Sequence, residues 1–374
     1  YWHVFPIFVY IIFHFAGFIY KKFSEEISNT TVIVLSIVFC GLIFLNGIIA
    51  APSIIKKNSF GKAVEQKDLN LIDSKDRSQP NLYYLLLDEY SSINFMKKYY
   101  NYDNSTFAEF LETAGFNVSY TSHNESIITT TIVTNYMNLD YVVSNYNSEA
   151  EKEYLRHNSL LFKLLRENGY SITGIGDAHF FGLENAAKDI KKHYALTIKG
   201  ETLKEILWKN TVVYPFINNS YSESAKNILD AVEYIKNLKY PSNSSQFVLF
   251  YIKPSHPPFL FDENGNMLKS GFTNWTDKKF YLGTYIYTTK VIKDVVKSIL
   301  ISDPDSIIII QSDHSARASS DLNLFMEIFG LEDMNNFFNA VYFRGEHFDI
   351  NGLSGVNTWR KVIGDLFSKN YEEV

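Results

Sequence analysis

The chain has 374 residues, of which 46% are hydrophobic, and it carries a formal net charge of −6. A chain of this length can bury a sizeable core, and the lack of a basic surplus argues against nucleic acid as a partner. The single cysteine, Cys40, excludes an intramolecular disulfide framework and a zinc site built from several cysteines. Because Cys40 lies in an apolar run, cysteine chemistry in a soluble domain is excluded as well.

Two apolar segments open the sequence. Residues 4–20 are apolar apart from His14, residues 31–51 carry no charge, and a pair of lysines lies beyond each segment. Since about 20 apolar residues cross a membrane, we predict two transmembrane helices within residues 1–55, with a buried helical hairpin or a signal peptide as alternatives. The chain begins with Tyr1 rather than methionine, so we treat it as truncated at its N-terminus. Lysines flank both segments, which leaves the orientation open.

A change of pattern follows these segments. Residues 56–79 are polar and lack periodicity, which predicts a linker. Over residues 80–374, short apolar runs alternate with amphipathic helical patterns. The runs LYYLLL, SITGIG, FVLFYI and SIIII read as buried strands. This alternation predicts an α/β domain with a mainly parallel, mixed sheet sandwiched by helices.

Polar residues follow each of the four predicted strands. In chain order they are Asp88 with Glu89, Asp177 with His179, His256, and Asp313 with His314. The carboxyl ends of parallel strands share one edge of an open α/β sheet, where functional groups collect. Clustered carboxylates repel one another unless a cation lies between them, and imidazole is a further metal ligand. The pattern therefore predicts a divalent metal site.

Each of these residues also has a structural interpretation. A lone aspartate such as Asp88 commonly caps a helix or turn, and His256, which precedes two prolines, can brace a turn. For Asp177 and His179 we favour a structural loop. The adjacent pair after SIIII is the stronger candidate, because two neighbouring ligands on one loop suit a metal and fit a cap poorly.

A segment rich in hydroxyl groups spans residues 122–141 and contains three consecutive threonines, Thr129, Thr130 and Thr131. A threonine at the start of a helix lies where backbone N–H groups stabilise negative charge. A bound cation lowers the pKa of such a hydroxyl further. The segment therefore supplies a candidate nucleophile for hydrolysis or group transfer. A strand or loop without chemical function is the alternative.

Four motifs together resemble the sulfatase-like branch of the alkaline phosphatase superfamily. They are PNLYYLLLDEY, the threonine-rich segment, KPSHPPFLFDENGN and QSDHSARA, in this order, and the C-terminal GVNTWR is similar to that of integral-membrane members. The resemblance covers roughly residue 80 to the C-terminus. It implies an alkaline phosphatase-like fold, anchored by transmembrane helices as in lipoteichoic acid synthases and phosphoethanolamine transferases. It further implies a multi-pass protein of the cell membrane with an extracytoplasmic catalytic domain.

The resemblance also implies roles for individual residues. The metal ligands that it implies are Asp88, Asp313, His314 and Thr129. Thr129 would also be the nucleophile, with Thr130 and Thr131 as alternatives. His256 corresponds to the imidazole that contacts the phosphoryl or sulfuryl oxygens of the substrate. The donor set suits Mn, Zn, Mg or Ca and does not choose among them.

The chain departs from the family pattern at several positions. It has no Cys- or Ser-x-Pro-x-Arg sequence, so sulfatase activity through formylglycine is not expected. Glu89 is the only counterpart of the family's second acidic residue, and strand alternation would turn it away from the site. Ser315 stands where glycine is usual, and Tyr251 stands where relatives often have histidine.

From these patterns we expect a metal-dependent enzyme that moves a phospho-head-group from a phospholipid to a cell-envelope or glycan acceptor through a threonine. A phosphodiester or sulfate-ester hydrolase, with water as the acceptor, is one alternative. A catalytically inert sulfatase-like module that binds a surface glycan or a partner is another, and the departures at Ser315 and Tyr251 favour it.

Overall fold

The computed structural model describes residues 79–145, 148–183, 194–195, 220–238, 245–272, 278–317, 329–369 and 372–374, with residues 14 and 33–34. Apart from residues 14, 33–34 and 79, the predicted transmembrane helices and the predicted linker lie outside the described residues. Among the described helices, none combines the length and the hydrophobicity that a membrane span requires. The chain divides into two compact units, residues 1–68 with 201–215 and residues 69–200 with 216–374. All elements named below belong to the second unit.

A mixed seven-stranded sheet organises this unit. Its strands are β1 (Leu82–Leu87), β2 (Asn117–Ser119), β3 (Ser171–Gly176), β4 (Tyr194–Ala195), β5 (Gln246–Ile252), β8 (Ile307–Ser312) and β9 (Asn339–Phe343). Their order across the sheet is β2-β9-β8-β1-β5-β3-β4. A separate hairpin pairs β6 (Phe259–Phe261) with β7 (Met267–Phe272). Neighbours from β8 to β4 are parallel, whereas β9 is antiparallel to β8 and to β2. The predicted mainly parallel, mixed sheet is confirmed.

Helices cover both faces of the sheet. They are α1 (Ile93–Tyr100), α2 (Ser105–Thr113), α3 (Thr129–Asn138), α4 (Glu149–His157), α5 (Leu160–Glu167), α6 (Ser220–Lys236), α7 (Lys278–Ser302), α8 (Leu331–Asn335) and α9 (Gly355–Leu366). Successive β1 side chains alternate between two apolar cores. One core contains residues of α1, α2, α6 and α7, and the other contains residues of α3, α5 and α9. The sheet is therefore the middle layer of a three-layer sandwich, as predicted.

The parallel register brings the ends of the central strands to one level. Leu87 of β1 pairs with Ile252 of β5 on one side and with Ser312 of β8 on the other. The residues that follow these three strands are Asp88, Lys253 and Asp313. Three charged side chains therefore begin side by side at the carboxyl edge of the sheet, which is where open α/β sheets carry their sites.

The end of β3 approaches β5 unusually closely. Gly176 has a φ of +83°, and a Cβ atom at this position would clash with the carbonyl oxygen of Tyr251. Glycine is therefore required both by the backbone conformation and by the space available. The same approach lets the backbone N–H of Asp177 donate to the Tyr251 carbonyl over 3.0 Å. This contact fixes Asp177 beside the end of β5.

Candidate active site

Three predicted ligand residues meet at the ends of β1 and β8. Asp88, Asp313 and His314 each offer one ligand atom, and these atoms lie within 4.8 Å of one another. Their exposed fractions are only 3%, 1% and 0%. We name these three residues the β1/β8 cluster. Burial of two carboxylates beside an imidazole is unfavourable unless positive charge or hydrogen bonds compensate for it.

Each carboxylate of this cluster accepts hydrogen bonds through one of its two oxygens. Asp313 Oδ1 accepts from the backbone N–H groups of Glu89 (2.9 Å) and His314 (2.8 Å). Asp88 Oδ2 accepts from the Tyr251 hydroxyl over 2.7 Å. Asp88 Oδ1 and Asp313 Oδ2 are buried, and neither has a hydrogen-bond partner within the described residues. Orphaned buried oxygens of this kind fit the requirements of a divalent cation.

The ring of His314 is oriented by its own backbone surroundings. Its Nδ1 lies 2.7 Å from the Ser315 carbonyl oxygen, which can only accept, so Nδ1 carries the proton. Burial, reinforced by the nearby Arg317 guanidinium, lowers the pKa of His314 to about 3. The imidazole is therefore neutral near pH 7, and Nε2 has a lone pair directed into the cluster. A histidine fixed in this way is suited to metal ligation.

The three consecutive threonines have different surroundings. Thr129 is the first residue of α3, and its Oγ1 lies 3.2 Å from Nε2 of His314. The Thr130 hydroxyl instead donates to the Glu149 carboxylate over 3.3 Å. Thr131 lines a separate pocket. Among the three, Thr129 therefore has its hydroxyl beside the β1/β8 cluster, while its role as ligand and nucleophile stays a prediction.

Arg317 is a cation at the cluster that the sequence analysis did not identify. Its Nη2 donates to the carbonyl oxygen of Ile127 over 2.8 Å and lies 2.9 Å from His314 Nε2. Its backbone N–H donates to the Glu89 carboxylate over 2.6 Å. The guanidinium can only donate, so it contacts the same His314 lone pair that a metal ion would use.

Glu89 lies beyond the strand, so alternation does not determine its direction. β1 ends at Leu87, and Glu89 has a left-handed backbone with a φ of +58°. Its side chain is fully buried, and burial raises the pKa of this carboxyl to about 7. Glu89 is not one of the three residues in the β1/β8 cluster, but it accepts a hydrogen bond from the Arg317 backbone.

A small pocket opens beside the cluster, at the ends of β5 and β3. We name it the β5/β3 pocket, and its lining includes Asp177, Tyr251, Lys253 and His256. The Lys253 ammonium lies 2.6 Å from Asp177 Oδ2 and 4.0 Å from Asp88 Oδ2. Burial alone would lower the pKa of Lys253, but these carboxylates outweigh it and raise that pKa. Lys253 is therefore charged near pH 7.

His256, the predicted substrate contact, lies in this pocket and not in the β1/β8 cluster. Its Nδ1 lies 2.6 Å from the Pro257 carbonyl oxygen and so carries a proton. Burial alone would lower the pKa of His256, but the carboxylates of Asp88 and Glu89 outweigh that effect and hold the pKa above its ordinary value. Near neutral pH the ring therefore carries more positive charge than an isolated imidazole.

Asp177 and His179 form a local pair, in line with the loop interpretation. His179 Nδ1 lies 2.9 Å from Asp177 Oδ1. Burial alone would raise the pKa of Asp177, but His179 and Lys253 outweigh it and lower that pKa. Asp177 is therefore an anion that holds Lys253. The sequence signal for Lys253 is its place directly after β5, which matches the places of Asp88 after β1 and Asp313 after β8.

Known proteins share this architecture. The sequence model of the Sulfatase family matches residues 80–358, about three quarters of the chain. No curated protein matches the chain. The C-terminal periplasmic domain of EcEptC from Escherichia coli is similar in structure, with 13% identity and a TM-score of 0.52 over 79% of this chain and 84% of that one.

Two further structures extend the comparison. The integral membrane protein lipooligosaccharide phosphoethanolamine transferase A from Neisseria meningitidis is 11% identical, with a TM-score of 0.46 over 91% of this chain and 67% of that one. The lipoteichoic acid synthase LtaP from Listeria monocytogenes is 13% identical, with a TM-score of 0.46 over 79% and 73%. The EcEptC domain shows the shared fold, and the family match over most of the sequence shows that this chain belongs to the Sulfatase family.

Proposed function

We propose that the chain is a metal-dependent enzyme that transfers a phospho group through a covalent intermediate on Thr129. The observation that carries this proposal is the 3.2 Å contact between Thr129 Oγ1 and His314 Nε2, beside two buried carboxylates. Few structural roles require a hydroxyl at a helix start to face an imidazole and two orphaned carboxylate oxygens. The combination matches what activation of a weak nucleophile needs.

The donor atoms that would hold the metal are Asp88 Oδ1, Asp313 Oδ2, His314 Nε2 and Thr129 Oγ1. A divalent cation bound there would lower the pKa of the threonine hydroxyl and neutralise charge on the phosphoryl oxygens. Oxygen and nitrogen donors suit Mn, Zn, Mg or Ca. Arg317 would give up its contact with Nε2 when the metal binds, because one lone pair cannot serve both.

The chain's own residues would carry out the proposed transfer in two steps. In the first, Thr129 Oγ1 forms a bond to phosphorus, the bond to the departing ester oxygen breaks, and Thr129 releases its proton to solvent. His256 donates a proton to the departing oxygen. In the second, an acceptor hydroxyl gives its proton to His256 and bonds to phosphorus. The phosphorus–Oγ1 bond then breaks, and Thr129 regains a proton.

The substrate would be a phospholipid head group, and the acceptor a cell-envelope component or a glycan. The order of the sequence motifs and membership of the Sulfatase family support this proposal. In the domain organisation that we propose, residues 1–55 anchor the chain in the membrane and residues 80–374 form a catalytic domain outside the cytoplasmic membrane. Residues 56–79 link these two parts. With water as the acceptor, the same steps hydrolyse a phosphodiester, or a sulfate ester with sulfur in place of phosphorus.

Substitution of Thr129 tests this mechanism, and Thr130 offers a matched control. We expect Thr129→Ala to reduce metal-dependent release from a p-nitrophenyl phosphate ester by at least about a thousandfold, as for loss of a nucleophile. Thr130→Ala should remain within about twofold, because its hydroxyl contacts Glu149 instead. Mass spectrometry of quenched reactions should detect phosphate on Thr129. Equal losses of rate in the two variants would contradict the proposal.

A catalytically inert binding module is the second candidate function. The contact between Arg317 Nη2 and His314 Nε2 favours it, because the guanidinium contacts the lone pair of the only predicted nitrogen ligand. In that case, the positive charge of Arg317 would compensate the buried carboxylates and no metal would bind. The metal content of the purified chain separates the two candidates.

A further inference from the structure

Lys253 has a position that the proposed chemistry has not used. It follows β5 directly, and the register places it beside Asp88 at the carboxyl edge. Its ammonium belongs to the same pocket lining as His256. It is therefore a permanent positive charge at the boundary between the β1/β8 cluster and the β5/β3 pocket.

The ammonium is held in place from several directions. Asp177 Oδ2 lies 2.6 Å away, and Asp177 is itself fixed through the close approach of Gly176 to Tyr251. Two aromatic rings flank the ammonium, with ring centroids 4.9 Å away for Tyr251 and 5.5 Å for Phe180. Such contacts restrict a long, flexible side chain and reduce the entropy that it would lose on binding a ligand.

The ammonium keeps donor capacity for a ligand. It has three N–H donors, and Asp177 lies within hydrogen-bond distance of one of them. Asp88 at 4.0 Å is an electrostatic neighbour and lies beyond hydrogen-bond distance. The Lys253 side chain remains 28% exposed, so solvent in the pocket can reach it.

The charges in the pocket fit an anion. The ammonium of Lys253 and the imidazole of His256 line one pocket. A lysine ammonium is positively charged at neutral pH, and an imidazole can donate a hydrogen bond from a ring N–H group. The groups that complement such a pair are the charged oxygens of a tetrahedral phosphate or sulfate ester.

We propose that Lys253 binds the anionic oxygens of the phosphate or sulfate ester, and that Asp177 positions its ammonium for this contact. This inference rests on the proposed function for the location of the ester, but the binding of an anion to Lys253 requires no turnover. Lys253 thus supplies, from the chain itself, a positive charge that does not depend on a metal ion.

Calorimetric titration of the full chain with inorganic phosphate, with and without Mn²⁺, tests the inference. Lys253→Met keeps the length of the side chain and removes the charge, and we expect it to weaken phosphate binding by about ten- to a hundredfold. Lys253→Arg should recover most of the affinity. Lys98→Met is the matched control, because it breaks another 2.6 Å ion pair, with Asp333 at the surface, and should change the affinity by less than about twofold.

Asp177→Asn tests the positioning role. It should weaken phosphate binding less than Lys253→Met, and it should have no further effect in a chain that already carries Lys253→Met. Additive losses would overturn the positioning role, because they would show that Asp177 does not act through Lys253.

The outcomes separate this inference from the proposed function. If the Thr129→Ala chain binds phosphate and the binding depends on Lys253, the inference holds even when no turnover is found. Unchanged phosphate affinity in a folded Lys253→Met chain would overturn it. Loss of bound metal in that variant would also overturn it, because Lys253 would then act by supporting Asp88. Inorganic sulfate, titrated in parallel, should show the same dependence on Lys253.

Discussion

The carboxyl edge of the sheet has two halves, the β1/β8 cluster and the β5/β3 pocket, and their buried charges are compensated differently. In the β1/β8 cluster, Asp88 and Asp313 each keep one buried oxygen without a hydrogen-bond partner among the described residues. In the β5/β3 pocket, Asp177 lies 2.6 Å from the ammonium of Lys253. Both halves stand on neighbouring parallel strands, so the difference comes from the residues that follow the strands.

The comparison indicates which half needs a ligand from solution to compensate its buried charge. A buried carboxylate that pairs with a lysine is already compensated. Two neighbouring carboxylates that have only hydrogen bonds to one oxygen each still require a cation from solution or a change in protonation. The neutral His314 ring adds a ligand to the cluster without adding charge. The β1/β8 cluster is therefore the half suited to a metal, and the β5/β3 pocket is the half suited to an anion.

The largest expected effect is the loss of metal from the cluster. In Asp313→Asn the amide oxygen can still accept from the backbone N–H groups, but the free carboxylate oxygen is gone. We expect the metal that remains after dialysis, measured by atomic emission, to fall from about one ion per chain to background. Asp177→Asn, in the paired half, should keep its metal. Equal metal contents in the two variants would remove the distinction between the halves.

A smaller effect is expected for His256, and it should appear in the pH dependence of the reaction rate. The neighbouring carboxylates raise the pKa of His256, so the protonated form persists to higher pH than for a free imidazole. The rate should therefore be retained below this raised pKa and lost as the pH rises through it. His256→Gln should lower the rate by about a hundred- to ten-thousandfold and abolish this decline. A pH–rate profile of both proteins measures it, and an unchanged alkaline limb would contradict the assignment.

The smallest expected effect is a change in metal affinity when Arg317 is substituted. The direction of this change tests whether the cluster is suited to a metal. The guanidinium contacts the His314 lone pair and repels a second cation. Arg317→Met should therefore tighten metal binding several-fold, by roughly 1 kcal/mol. Arg360→Met is the matched control, because Arg360 also donates to a backbone carbonyl, that of Leu139, and should leave the affinity unchanged. Weaker metal binding in Arg317→Met would show that Arg317 supports the cluster.

The central strands could be predicted from the sequence because each is a continuous apolar run that ends in polar residues. The pairing of β9 with the three-residue strand β2 could not, because it joins segments far apart in the chain and β2 is too short to show a period. The start of α3 at Thr129 agrees with the predicted helical threonine. The sequence leaves Thr130 and Thr131 as alternatives to Thr129, because consecutive residues on a helix point about 100° apart and their contacts depend on how the helix packs.

Two cations of the candidate site carry no metal-ligand pattern in the sequence. Lys253 and Arg317 are cations, and their importance comes from their distances to Asp177 and His314, which only the fold determines. Glu89 was expected to follow strand alternation, but its left-handed backbone breaks that period. Each of these residues lies in a loop that follows a strand, and local sequence patterns do not give the contacts that such loops make.

One carboxylate belongs to both halves, and this sharing has a thermodynamic consequence. Asp88 accepts the Tyr251 hydroxyl with Oδ2 on the pocket side, while its Oδ1 remains free for the cluster. A cation that withdraws electron density from Asp88 changes the field at Lys253, and an anion on Lys253 changes the field at Asp88. A cation bound in the cluster would therefore change the affinity of the pocket for an anion by some factor. An anion bound in the pocket would change the affinity of the cluster for the cation by the same factor.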